Sequence, residues 1–170
     1  MMESTVKLHS LRVVDYKTYA FAGLFVAGNI VLPQICHLFP FGGQMLLPIY
    51  FFTLIAAYKY GFVTGLLTAI ASPLVNHAIF GMPATEMLPV LLIKSVLLAS
   101  AAAYMAQRTK QIKLQNLLLI ILFYQGIGMI AEFALTSSFI AAFQDVRLGF
   151  PGILLQLIGG FYCLKAIAKL

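Results

Sequence analysis

Long apolar segments separated by short connections make up most of this chain. Each segment is apolar on all sides rather than at alternate positions, which favours helices over the strands of a membrane barrel. Several approach the roughly 20 residues with which a helix crosses a bilayer. The pattern predicts an all-α membrane protein, in which residues 1–170 form one domain with six transmembrane helices and residues 1–18 are its cytoplasmic N-terminal segment. The predicted spans are Tyr19–Cys36, Met45–Tyr58, Phe62–Phe80, Met87–Ala106, Leu117–Ala142 and Phe150–Ile167.

Composition and charge agree with this interpretation. Hydrophobic residues make up 62% of the chain and charged residues 9%, which leaves too little polar surface to cover a soluble globule. The net charge of +6 follows from the enrichment of Lys and Arg in cytoplasmic loops of membrane proteins. We therefore expect both termini in the cytoplasm and no nucleic acid as a partner. The basic residues that this topology places in the cytoplasm are Lys7, Arg12, Lys17, Lys59, Arg108, Lys110, Lys113, Lys165 and Lys169.

The first outer connection, Pro33–Gln44, has the sequence PQICHLFPFGGQ and carries no Asp, Glu, Lys or Arg. A solvated linker would be polar, so we predict that this connection, outer loop 1, folds over the bundle as a lid. A tight interfacial turn anchored by an aromatic side chain is the alternative.

Polar side chains from different spans fall at a similar depth, in the predicted outer half. A charge inside lipid costs roughly 2.5 to 3.5 kcal/mol and usually marks a functional cavity. Neighbouring helices run in opposite directions, so chain order does not impose this agreement in depth. We predict a polar cavity that faces outward and binds a small molecule. The predicted substrate-binding residues are Lys94, Glu132, Asn76, His77, Tyr50, His37, Asn29 and Gln156, whereas the inner half carries mainly Thr64, Thr68, Ser100, Tyr124 and Gln125.

Each of these side chains has both a functional and a structural interpretation. In the functional one, Lys94 binds a carboxylate or phosphate, Asn76 and His77 donate or accept hydrogen bonds, and Tyr50 offers a flat apolar face. In the structural one, Lys94 and Glu132 form a buried ion pair between helices. The amide side chains then only join neighbouring helices.

The sequence lacks the patterns of common catalytic and metal sites. It contains no GxSxG, no HExxH and no paired carboxylates. The spacing of Cys36, His37 and His77 matches no local metal signature. We therefore expect a protein that is not an enzyme and that holds no metal and no cofactor.

Small residues recur at helical spacing on two predicted spans. Gly23 and Ala27 are four residues apart on the first, and Gly61 and Gly65 are four residues apart at the start of the third. Such pairs allow two helices to approach closely. They predict an interface with a membrane partner, with internal packing of the bundle as the alternative.

One region of the sequence resembles a known family. The stretch GGQMLLPIYFFTLIAAYKYG, followed by GLLTAIASPLVNHAIFGMP and LPVLLIKSVLLA, resembles the substrate-binding S components of energy-coupling-factor (ECF) vitamin transporters, in particular the pantothenate-type group. The shared features are a Gly-Gly turn, a proline at the start of helix 2, Ser-Pro-Leu in helix 3 and a Gly-Met-Pro turn. Tyr50 stands where that group commonly has histidine and Lys94 where it commonly has glutamate, so pantothenate itself is not carried over.

The resemblance implies a high-affinity capture subunit for a vitamin or cofactor precursor in the bacterial cytoplasmic membrane. Such subunits work with a transmembrane T component, which small residues of helix 1, here Gly23 and Ala27, typically meet, and with two ATPases. The chain contains no GxxxxGK[ST], so ATP hydrolysis is expected on those partners. Two alternatives are an MreD-like cell-shape scaffold, similar in length and in six-helix build, and a solitary micronutrient facilitator.

Overall fold

The computed structural model describes residues 11–38 and 40–168, and the elements assigned there are helical. The predicted all-α class is confirmed. In chain order the elements are α1 (Tyr16–Cys36), α2 (Gly42–Leu46), a 3-10 turn (Pro48–Tyr50), α3 (Phe51–Tyr60), α4 (Phe62–Phe80), α5 (Leu88–Thr109), α6 (Leu114–Thr136), α7 (Phe139–Ala142), α8 (Gln144–Arg147), α9 (Phe150–Leu154), a π-helical turn (Leu155–Gly159) and α10 (Gly160–Ala166).

Four of these helices, α1, α4, α5 and α6, are long and apolar enough to cross a membrane. The other two predicted spans correspond to shorter segments, α3 with the turn before it and the apolar helical segment Phe150–Ala166. The predicted N-terminal segment 1–18 lies mostly outside the described residues. Within them, α1 begins at Tyr16, so the end of that segment is already helical.

The second predicted span, Met45–Tyr58, is wrong as a single helix. The chain leaves the right-handed helical conformation at Leu47, which has φ 46 and ψ 47. The proline at position 48 explains the break, because a proline disfavours that conformation in the residue before it. The helix proper begins only at Phe51.

The fifth predicted span, Leu117–Ala142, extends too far. The long helix α6 ends at Thr136, and Ser137 has a left-handed backbone with φ 52. The Ser138 hydroxyl then accepts a hydrogen bond from the Ala141 N–H at 3.3 Å, which caps the start of α7 as serine does at many helix N-termini. Two serines in succession therefore separate one apolar run into two helices.

Helix α3 lies at the centre of the bundle, in contact with α1, α4, α5 and α10. Its side chains are buried on every face, and Leu54, Ala56 and Ala57 are 0% exposed. Close contact with α4 depends on Gly65, because a Cβ there would lie 2.4 Å from the Cβ of Ala57. Because other helices surround most of α3, its sequence can be apolar on most sides.

Hydrogen bonds close the end of the bundle at which α3 turns into α4. The Tyr58 hydroxyl donates to the backbone oxygen of Gln111, and the Lys59 ammonium donates to that of Ala168 at 3.1 Å. We call the opposite end, at which α1, α4 and α6 finish and α5 begins, the cavity end.

Candidate functional site

A cavity of about 310 Å³ opens at the cavity end. Its volume lies near the lower limit of pockets that bind small molecules. Its wall combines residues of α4, α5 and α6 with the last turn of α1 and the segments that follow α1 and α4. The polar and charged residues that line it are Gln34, His37, Gln44, Tyr50, Asn76, Lys94, Glu132 and Gln144, and the apolar ones include Leu47, Ile49, Val90 and Leu91.

An ion pair between α5 and α6 forms part of this wall. The Lys94 ammonium donates a hydrogen bond to Glu132 Oε2, and the two residues are 1% and 2% exposed. Gly128, one turn before Glu132, makes room for the lysine, because a Cβ there would lie 2.6 Å from Lys94 Cγ. The two charges therefore compensate each other while both residues line the cavity.

Asn76 brings a second buried polar group to the wall. Its amide nitrogen donates to the backbone oxygens of Asn29 at 3.0 Å and Ser72 at 2.9 Å. Its Oδ1 accepts no hydrogen bond from the residues that the structure describes, although Asn76 is 3% exposed. A buried acceptor without a donor is unfavourable in a folded protein. Asn76 Oδ1 is therefore the polar atom of the wall that a ligand with a hydrogen-bond donor would most clearly stabilise.

Asn29 holds this part of the wall in place from behind. Its amide nitrogen donates to the hydroxyls of Thr53 and Ser72, each at 3.0 Å. Its Oδ1 accepts from the Phe52 N–H at 3.2 Å. One side chain thus joins α1 to α3 and α4, and Asn29 is not among the residues that line the cavity.

Tyr50 connects the cavity to a buried polar cluster deeper in the bundle. Its ring lies 5.4 Å from that of Tyr124, at an angle of 53°. The Tyr124 hydroxyl donates to Gln156 Oε1 at 2.8 Å and accepts from Gln125 Nε2 at 3.2 Å. Gln156 lies in the π-helical turn. Tyr50 therefore lines the cavity, whereas Gln156 supports it through Tyr124.

Two connecting segments complete the cavity end. His37, just after α1, lines the cavity, and its ring packs on Gly43, where a Cβ would lie 2.5 Å from His37 Cε1. His77 lies 2.7 Å from the backbone oxygen of Pro83 through its Nδ1. Because a carbonyl oxygen only accepts, this contact assigns the proton to Nδ1. His77 therefore binds the segment after α4 and is not among the residues that line the cavity.

The structure thus divides the predicted site residues into two groups. Those that line the cavity are Lys94, Glu132, Asn76, Tyr50 and His37, whereas Asn29, His77 and Gln156 support its walls.

Several residues of the cavity end were not in the predicted site. Thr53 and Ser72 hold Asn29, and Gln44 and Gln144 line the cavity. Ser72 could have been found, because it lies four residues before Asn76 and so on the same face of α4. Tyr124 and Gln125, assigned to the inner half, belong to the cluster beneath Tyr50.

The predicted partner residues also separate into two groups. Gly23 and Ala27 are exposed on α1, and a Cβ at Gly23 would meet no atom within 4 Å. Gly65 is buried in the contact between α3 and α4, and Gly61 is the buried turn residue between these two helices, where its φ of 95 favours glycine. Internal packing, the alternative interpretation, therefore describes Gly65, and the turn accounts for Gly61.

Within the described ranges, no group of three or more His, Cys, Asp or Glu side chains could hold a metal ion. No protein-family model matches the chain, and neither a curated protein nor a solved structure matches it. The resemblance to ECF S components stays a prediction.

Proposed function

We propose that this chain is the substrate-capture subunit of an ECF-type importer and that its cavity binds a vitamin or cofactor precursor. One observation carries the proposal. Nearly fully buried polar side chains from four separate elements, Tyr50, Asn76, Lys94 and Glu132, converge on one cavity. Buried polar groups are costly unless they are paired or used. A cavity with a few convergent polar groups in an apolar wall is typical of a small-molecule site.

In this proposal the protein crosses the bacterial cytoplasmic membrane six times, with both termini in the cytoplasm and the cavity open to the outside. Four long apolar helices support a multi-pass protein. Phe150–Ala166 provides a fifth span, although it is shorter than the other four. The sixth span is α3 with the 3-10 turn before it, which can be short because neighbouring helices enclose it.

The proposal includes a T component and two ATPase subunits as partners. The exposed face of α1 around Gly23 and Ala27 supports a docking site for the T component, since small residues let a second helix approach. Gly23→Leu should abolish copurification of these partners from host membranes. Gly126→Leu is the matched control, because a Cβ at Gly126 also meets no atom within 4 Å. Equal partner recovery with both variants would contradict this docking site.

Retention of a small molecule by the purified protein tests the capture function. We expect mass spectrometry of protein purified in detergent to detect a bound vitamin-like molecule. Ala84→Trp should abolish this retention, because Ala84 is exposed and lines the cavity. Thr85→Trp is the control, because the exposed Thr85 next to it does not line the cavity. Equal retention by both variants would locate the binding elsewhere.

The same measurements separate the alternatives. A scaffold protein has no need of a ligand, so a wild-type protein that retains no small molecule and binds no vitamin would favour the MreD-like role. A solitary facilitator would retain the molecule and would still support uptake in cells that lack the partner ATPases. The proposed capture subunit should lose uptake in those cells.

A further inference from the structure

The charge of the cavity wall restricts which molecules it can hold. Among the described residues that line the cavity, the charged ones are Lys94 and Glu132, and they form a salt bridge with each other. The wall near them includes the apolar side chains of Leu47, Val90 and Leu91. The ion pair therefore compensates its own charges before any ligand enters.

An anionic ligand fits this arrangement poorly. A carboxylate or phosphate that became the main ionic partner of the Lys94 ammonium would displace the Glu132 carboxylate from it. The displaced carboxylate is 2% exposed, and a buried charge that loses its partner is strongly unfavourable. The anion would also bring a second negative charge next to Glu132.

Asn76 indicates what the ligand should offer instead. Its amide nitrogen is engaged by two backbone oxygens, so Oδ1 is the atom that is left for a ligand. An amide oxygen accepts hydrogen bonds and cannot donate them. A ligand that satisfies it must carry an N–H or O–H group, which an ionised carboxylate does not have.

We propose, building on the capture function proposed above, that the cavity selects an uncharged molecule with an apolar body and an N–H or O–H group that donates to Asn76 Oδ1. The class includes primary and secondary amides, lactams and alcohols. It excludes carboxylates and phosphates that enter the cavity with their charged group.

Matched ligand sets test this class without altering the protein. We would offer water-soluble vitamins and their precursors as a primary amide or alcohol, as the N,N-dimethylamide or methyl ether, and as the parent carboxylate. Methylation removes the donor and keeps the molecule neutral, whereas the carboxylate adds charge. Binding to the wild-type protein in detergent would be measured by isothermal titration calorimetry.

We expect the amide or alcohol to bind at least about tenfold more tightly than the methylated form, because methylation leaves a buried acceptor unsatisfied. We expect a similar or larger preference over the carboxylate. A carboxylate that binds as tightly as its amide, or methylation without effect, would overturn this inference and leave the capture function standing. A copurified molecule outside the sets counts by the same criteria, supporting the inference if neutral with a donor and opposing it if anionic. If nothing binds and nothing copurifies, the capture function itself fails.

Discussion

Replacing Gly128 with alanine is expected to separate the Lys94–Glu132 ion pair, and the same change at Gly126 provides a matched control. Both glycines lie in α6. A Cβ at Gly126 would meet no atom within 4 Å, whereas a Cβ at Gly128 would lie 2.6 Å from Lys94 Cγ and 3.0 Å from Lys94 Cε. The two variants add the same methyl group to the same helix, and only one of them meets the lysine.

The expected magnitudes follow from the helix and from the ion pair. Alanine is about 1 kcal/mol more favourable than glycine inside a helix, so Gly126→Ala should raise the free energy of unfolding by about that amount. Separating a buried ion pair costs about 3 to 5 kcal/mol, so Gly128→Ala should lower the free energy of unfolding by about 2 to 4 kcal/mol. Even if the pair survives, crowding the lysine should cost about 1 to 3 kcal/mol.

The assay is unfolding of the detergent-purified variants by added sodium dodecyl sulfate, followed by far-ultraviolet circular dichroism. A double-mutant cycle with Lys94→Ala identifies the cause. In that background Gly128→Ala should become as favourable as Gly126→Ala, because the side chain that it crowds is gone. The reasoning is refuted if Gly128→Ala is as stable as Gly126→Ala in the otherwise unaltered protein.

Three further results are expected in the same unfolding assay. Lys94→Met and Glu132→Met should each lower the free energy of unfolding by about 3 to 5 kcal/mol, because each leaves a buried charge without its ionic partner, and the double variant should recover most of this loss; no recovery would contradict the pairing. Asn29→Leu should lower the free energy of unfolding by about 2 kcal/mol. The Asn29 side chain joins α1 to α3 and α4 by several hydrogen bonds, and each contributes about 0.6 kcal/mol in a membrane bundle. Unchanged stability would contradict this role. Lys110→Gly should raise the free energy of unfolding by about 0.5 to 1 kcal/mol, because Lys110 has φ 52, where non-glycine residues are strained. The control, Arg108→Gly, lies inside α5 and should lower the free energy of unfolding by about 1 kcal/mol. A loss of stability at both positions would argue against strain at Lys110.

The depth of each residue along its helix could be predicted from the sequence. This depth was sufficient to place Lys94 and Glu132 at the same level of the bundle. These residues lie on spans that run in opposite directions, and both are near the cavity end. A charged residue in an apolar span needs a partner, which makes such a pair the easiest part of a membrane site to predict.

Rotation about each helix axis could not be predicted in the same way. His77 follows Asn76 directly, so it points about 100° away around α4 and contacts Pro83 instead of lining the cavity. Asn29 is near the right depth but faces α3 and α4. Because these spans are apolar on nearly every side, no hydrophobic face shows which way a polar residue points.

Local breaks in the helices were also hard to predict from hydropathy. Leu47 and Ser137 interrupt apolar runs that hydropathy alone joins, and the π-helical turn around Gln156 adds a residue to its helical turn. Proline and serine next to the first two breaks were visible signals. The π-helical turn has no comparable signal in the sequence.

The connection around α2 is the part of the cavity wall that we expect to move when a ligand enters. Phe41 and Leu47, on either side of α2, have left-handed backbones with φ 60 and φ 46, and such residues cost about 1 to 3 kcal/mol each. In contrast, α4, α5 and α6 are long helices, and α5 is in extensive contact with both α4 and α6. Amide hydrogens of residues 42–47 should therefore exchange with deuterium faster than those of α4 to α6, and bound ligand should slow them most. Equal protection of the two regions, with and without ligand, would show that entry does not depend on this connection.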